Sequence, residues 1–150
     1  MLRVLPFAAA DFAMLARRPT TELELSSQGM DAAQAGRMYE QSGPCFTFWL
    51  EDEKGKRPML VGGAIVSHPG HATVWAALAR DAQPHAIWIT KRVRQFVAGL
   101  DHARVDAFVA ADNPAAIGWA KLCGFAEEAR LRRFYPDGGD CAVMTCMEDC

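Results

Sequence analysis

Apolar and polar positions along this chain switch repeatedly between a strand-like and a helix-like period. Leu2 to Phe7 is a short apolar run ending around Pro6, and it predicts a strand. Ala9 to Arg17 places Phe12, Leu15 and Ala16 on one side of a helix. Asp31 to Gln41 predicts a second helix, with Asp31 or Met30 near its start and Gly43-Pro44 ending it. Cys45-Phe-Thr-Phe-Trp-Leu50 is rich in aromatics, which suit a pleated surface. Glu51 to Arg57 is a charged turn carrying the glycine that a hairpin uses. Pro58 to Ser67 and Ala72 to Ala79 are the next strands, joined by the tight turn His68-Pro-Gly-His71. Three strands linked by short turns predict an antiparallel meander.

After the loop Arg80 to His85, the period changes. Ile89, Val93, Phe96, Val97 and Leu100 fall at i, i+4, i+7, i+8 and i+11, one face of an amphipathic helix. Arg104 to Ala110 is a short, mostly apolar strand, the pattern of a strand covered on both faces. A strand, a helix and a strand in succession require a crossover, so the strands around Val74 and Val105 are expected to be parallel. A last helix follows. Asn113 caps its start, Pro114 sits where a missing N–H costs nothing, and Gly124 suits the left-handed residue that closes it. Phe125 then packs back and opens a hairpin, Ala126 to Phe134 and Ala142 to Met147, around the turn Pro136-Asp-Gly-Gly-Asp140. The order is β-α-α-β-β-β-α-β-α-β-β. With 150 residues and no visible linker or repeat, the chain reads as a single domain over residues 1–150.

Composition narrows the classes. Hydrophobic residues make up 51% and charged residues 23%, an ordinary globular balance. The formal net charge is -2, which supplies no global basic field for nucleic acid. The cluster Lys91, Arg92 and Arg94 is explained by the solvated face of its helix. No apolar run approaches the roughly 20 residues of a membrane span, and the N-terminal apolar stretch is broken at Asp11, so a cytoplasmic protein is expected. The five cysteines, Cys45, Cys123, Cys141, Cys146 and Cys150, form no C-x-x-C pair and read as reduced thiols, with terminal Cys150 open to oxidation. His68 and His71 lack a third ligand nearby and read as turn histidines, so no metal site is expected.

The element order and the last third of the chain resemble the GNAT family of acyl-CoA-dependent N-acyltransferases. That family shows a strand, then N-x-x-A, then a short helix ending in G-F, then a hairpin. Asn113, Ala116, Gly124 and Phe125 stand at that spacing. The resemblance implies an α/β (α+β) fold with a mixed, mostly antiparallel central sheet flanked by helices. It implies acetyl-CoA or CoA as cofactor and an amine, on a small molecule or a protein, as acceptor. The pantetheine arm would lie where two parallel strands splay, near Ala76, Ala77 and Leu78. There, unpaired backbone groups polarise the thioester carbonyl. A loop and helix start would bind the pyrophosphate, and Asn113 would contact CoA. The resemblance also leaves room for a homodimer.

Two positions depart from the family's pattern. Its phosphate loop, Q/R-x-x-G-x-G/A, falls on His85-Ala-Ile-Trp-Ile-Thr90, so Trp88 and Thr90 replace the two small residues and His85 opens the motif. Glycine there lets the backbone approach phosphate closely. The Tyr that many members carry seven residues after the Asn, as general acid toward the leaving thiolate, is Ala120 here. A narrower resemblance, to short phage proteins of the internal virion protein A type, rests on Trp75-Ala76, Pro84-His85 and Lys91-Arg92-Val-Arg94. It implies a GNAT-like phage or prophage protein with a replaced loop, associated with the virion or with a host protein. Tyr39, Glu40 and Glu51 lie where the family often recruits a base for the amine, but no motif surrounds them.

Overall fold

The computed structural model describes residues 1–15 and 30–147. Its strands are β1 (Leu2–Pro6), β2 (Cys45–Asp52), β3 (Gly55–His68), β4 (His71–Leu78), β5 (Arg104–Ala110), β6 (Ala126–Leu131) and β7 (Cys141–Met147). Its helices are α1 (Ala9–Met14), α2 (Ala32–Glu40), α3 (Ala86–Ala98) and α4 (Pro114–Leu122), with a 3-10 turn at Gln83–His85. The seven strands form one sheet in the order β1-β2-β3-β4-β5-β7-β6. This is the expected mixed, mostly antiparallel sheet with helices. Ala16, Arg17 and Cys150, which carried expectations of their own, lie outside the described residues. By compactness the chain divides into two units, Met1–Ile65 with Trp75–Ala86, and Val66–Val74 with Ile87–Cys150.

In the first unit, β1 and β2 pair antiparallel from Leu2↔Leu50 to Pro6↔Phe46. β2 and β3 form the hairpin expected at the charged turn, with a bulge at Phe48/Trp49. Phe48, Met59, Leu60 and Val61 are fully buried. Consecutive burial in β3 means both of its faces are covered, which the alternating pattern of a one-faced strand does not allow. α2 opens on a reciprocal cap. The Asp31 carboxylate accepts the Gln34 N–H at 2.7 Å, and the Gln34 side chain accepts the Asp31 N–H at 2.9 Å. The two helices approach closely at Gly36, where an added Cβ would stand 2.3 Å from the Ala9 carbonyl oxygen. Buried Asp11 ties α1 to the sheet: one of its oxygens accepts both the Ala8 N–H at 3.0 Å and the Thr47 hydroxyl at 2.7 Å.

In the second unit, β5 pairs antiparallel with β7, and β7 with β6. Val97, Val105, Ile117, Ala120, Cys123, Phe125, Ala142, Met144 and Cys146 form its core. α4 is bounded as its sequence predicts. Asn113 Oδ1 accepts the Ala116 N–H at 3.1 Å, Gly124 takes φ 104°, and the Gly124 and Phe125 amides donate to Lys121 and Ala120 carbonyls. β6 stops at Leu131, short of the expected Phe134, because Arg133 takes φ 53° and leaves the ladder.

Among the described residues, Cys45, Cys123 and Cys141 are free thiols. Burial pushes the Cys123 thiol up to about 11. A thiol raised in the folded state stabilises the fold below its unfolded value near 9, and loses that contribution as pH rises through the folded value. Denaturation midpoints taken from pH 8 to 11 are therefore expected to fall less steeply in Cys123→Ala than in the parent. Parallel curves would show that Cys123 does not set the alkaline limb.

Candidate functional site

β4 and β5 run parallel, as the crossover requires, and are registered from His71↔Arg104 to Thr73↔Asp106. β5 stays in register with β7 as far as Ala110↔Cys141, while Val74 to Leu78 of β4 lie beyond its last registered pair with β5. A side-chain cluster sits at that last pair. Asp106, 5% exposed, accepts the Thr73 hydroxyl at 2.7 Å on Oδ1 and meets His71 Nε2 at 2.8 Å on Oδ2. Arg104 reaches the same Oδ2 at 3.5 Å and forms a two-pronged pair with Glu128. Glu128 also accepts the Thr145 hydroxyl at 3.2 Å. A buried carboxylate is tolerated only with such a set of donors. The cluster therefore pins β4 to β5 at the place where their ladder ends.

Along the rest of β4, Ala76 is exposed, Ala77 is buried and Leu78 is half-buried. The Trp75 ring stacks on Tyr39 with centroids 3.8 Å apart and planes at 14°, and meets Phe7 edge-on at 5.6 Å. Phe12 also stacks on Tyr39, with centroids 5.9 Å apart. Core packing thus accounts for Trp75. Its buried indole nitrogen has no hydrogen-bond partner among the described residues. Glu40 accepts the Ala9 N–H and raises the Cys45 thiol after desolvation has done so.

The start of α3 differs from a phosphate cradle. The 3-10 turn Gln83–His85 runs directly into the helix. The His85 N–H donates to the Ala82 carbonyl at 2.9 Å, and the Ala86 N–H donates to the Gln83 carbonyl. Those two amides are engaged by the turn itself. The Trp88 ring is half-buried, with the Arg92 guanidinium 5.2 Å from its centroid. Thr90 Oγ1 accepts the Trp119 indole N–H at 3.0 Å, which joins α3 to α4. Arg94 donates to the Leu122 carbonyl at 2.8 Å, at the end of α4. Asn113 serves as the α4 cap, and Ala120 points into the core.

The structure therefore gathers the sequence-selected residues into separate groups. Thr90 meets Trp119, Trp88 meets Arg92, Asn113 stands at the α4 start, and His85 belongs to the 3-10 turn. Sequence reasoning missed Thr73, His71 and Asp106 as a cluster. His71 was assigned to a turn, but it is the first residue of β4. One signal was available: Asp106 is a lone carboxylate inside the apolar run Val105 to Val109. Among the described residues no group of His, Cys, Asp and Glu has the arrangement of a metal site, and no helix is long and apolar enough to cross a membrane.

No family model matches the sequence, and no curated protein matches it. Solved structures do match over nearly the whole chain. Ard1 from Thermoplasma volcanium superposes with a TM-score of 0.74 at 16% identity, covering 97% of each chain. A candidate phosphinothricin N-acetyltransferase superposes with a TM-score of 0.73 at 13% identity, covering 98% of each chain. Spermidine N-acetyltransferase from Vibrio cholerae, in complex with CoA and spermine, gives a TM-score of 0.66 at 15% identity, covering 98% of this chain and 95% of that one. These are GNAT-fold N-acetyltransferases, and the chain has the GNAT fold.

Proposed function

We propose that this chain is a single GNAT-like domain over residues 1–150 that transfers an acyl group from a CoA thioester to an amine. The observation that carries this reading is the short β4–β5 ladder, which ends at Thr73↔Asp106 and leaves β4 from Val74 onward beyond its parallel neighbour. Strand backbone in that condition supplies amides and carbonyls to an extended ligand, as an added strand would. A bound acyl-CoA would supply a thioester carbonyl and a thiolate leaving group. The amine nitrogen attacks that carbonyl carbon, the C–S bond breaks so that sulfur leaves as thiolate, and nitrogen gives up its proton to solvent. Within the chain, the β4 amides near Ala76 to Leu78 would donate to the carbonyl oxygen as negative charge develops on it. The pinned pair Thr73–Asp106 would fix the strand that carries those amides. Ala120 offers no acid at the family's usual position, so solvent would protonate the thiolate.

Thermal denaturation with acetyl-CoA tests the reading. A ligand at about 100 times its dissociation constant adds about 2.7 kcal/mol, which in a domain of this size raises Tm by roughly 5–10 °C. Unchanged melting at millimolar acetyl-CoA and CoA would sink the proposal.

Two observations favour a second reading, a GNAT-fold protein without catalysis. Ala120 lies in the core where an acid is expected, and the His85 and Ala86 amides are already engaged. In that case the chain serves as a phage or prophage component of the internal virion protein A kind, associated with a particle or a host protein. Virion genes beside its own would support this reading, and a metabolic operon would count against it.

A further inference from the structure

We infer that the acyl donor is recognised through its pantetheine arm alone, so that the diphosphate and adenosine of CoA add no affinity. The inference rests on the acyltransferase reading and narrows its donor. β4 keeps what an extended thioester arm requires, a length of backbone beyond Thr73↔Asp106. The start of α3 does not keep what a diphosphate requires.

A diphosphate at a helix start is held by free N–H groups and by close approach of the backbone. Here the His85 N–H is donated to Ala82 at 2.9 Å and the Ala86 N–H to Gln83. His85-Ala-Ile-Trp-Ile-Thr90 contains no glycine, and there is none from Ala72 to Ala98. The polar side chains of α3 itself are directed elsewhere or solvated. The Arg92 guanidinium lies over Trp88, Arg94 is directed to the Leu122 carbonyl, and the Thr90 side chain is drawn to Trp119. Lys91 is exposed on the same helix, and a single solvated ammonium adds little to binding. Recognition thus ends where the arm ends, and acyl thioesters of pantetheine are the donor class.

Calorimetric titration of the full chain tests this with three probes: acetyl-CoA, S-acetyl-pantetheine and adenosine 3′,5′-bisphosphate. The two thioesters are expected to bind within about threefold of each other, with no saturable binding of the nucleotide at about 5 mM. Acetyl-CoA binding more than about threefold tighter than S-acetyl-pantetheine, or saturable nucleotide binding, overturns the inference while leaving the acyltransferase reading intact. If neither thioester binds, the acyltransferase reading itself fails, and this inference falls with it.

Discussion

Phe48→Ala is expected to destabilise the protein by about 3–5 kcal/mol, the cost of removing a large ring from a filled site. Phe48 is 1% exposed and lies opposite both Val4 on β1 and Leu60 on β3, so its ring is enclosed by neighbours on two sides. It also stacks on Phe46 with centroids 4.8 Å apart. The strand bends at the bulge between Phe48 and Trp49, so collapse around a missing ring would require β2 to change register. Because domains of this kind are stable by about 5–15 kcal/mol, the variant is expected to lose a large share of its folding free energy. Urea denaturation of parent and variant measures the loss. A change below about 1 kcal/mol would show that neighbouring side chains refill the site.

Asp106→Ala is expected to cost about 3–5 kcal/mol, because removing one partner leaves buried donors without an acceptor. Thr73 Oγ1 and His71 Nε2 both lose their partner, and Arg104 keeps Glu128. Asp106→Asn retains one acceptor oxygen and the side-chain volume, so a smaller loss of about 1–2 kcal/mol is expected. Thr73→Val in the Asp106→Ala background should then add almost nothing, since the hydroxyl's acceptor is already gone. Additive losses in that pair would show that Thr73 and Asp106 act separately. Exposed pairs make a useful contrast. Arg57, through its hydrogen bonds, holds the Asp52 carboxyl at about 2, but both groups face solvent, and screening there leaves little net stability.

The parts of the fold that were legible in the sequence are those fixed within a few residues. The Asn113 cap and the Gly124 closure of α4 depend on local backbone geometry, and both stand as read. The hairpin turn and the amphipathic face of α3 are local as well. The parallel relation of β4 and β5 followed from connectivity alone. What the sequence did not disclose depends on partners far apart along the chain. Thr73 and Asp106 are 33 residues apart, and Thr90 and Trp119 are 29 apart. No periodicity encodes the point at which a ladder stops. The engagement of the His85 and Ala86 amides was equally hidden, because Arg80 to His85 reads as a loop whether or not it closes into a 3-10 turn.

The last strand of the sheet has a consequence for behaviour in concentrated solution. Every residue of β6 is exposed, and Glu127, Glu128 and Arg130 occupy it, with Glu127 paired to Arg130 and Glu128 to Arg104. A second molecule that added its own strand there would have to strip water from these charges. The rim is thus hydrated rather than adhesive. Its resistance to edge-on growth is electrostatic in origin, so it weakens as added salt shortens the screening length.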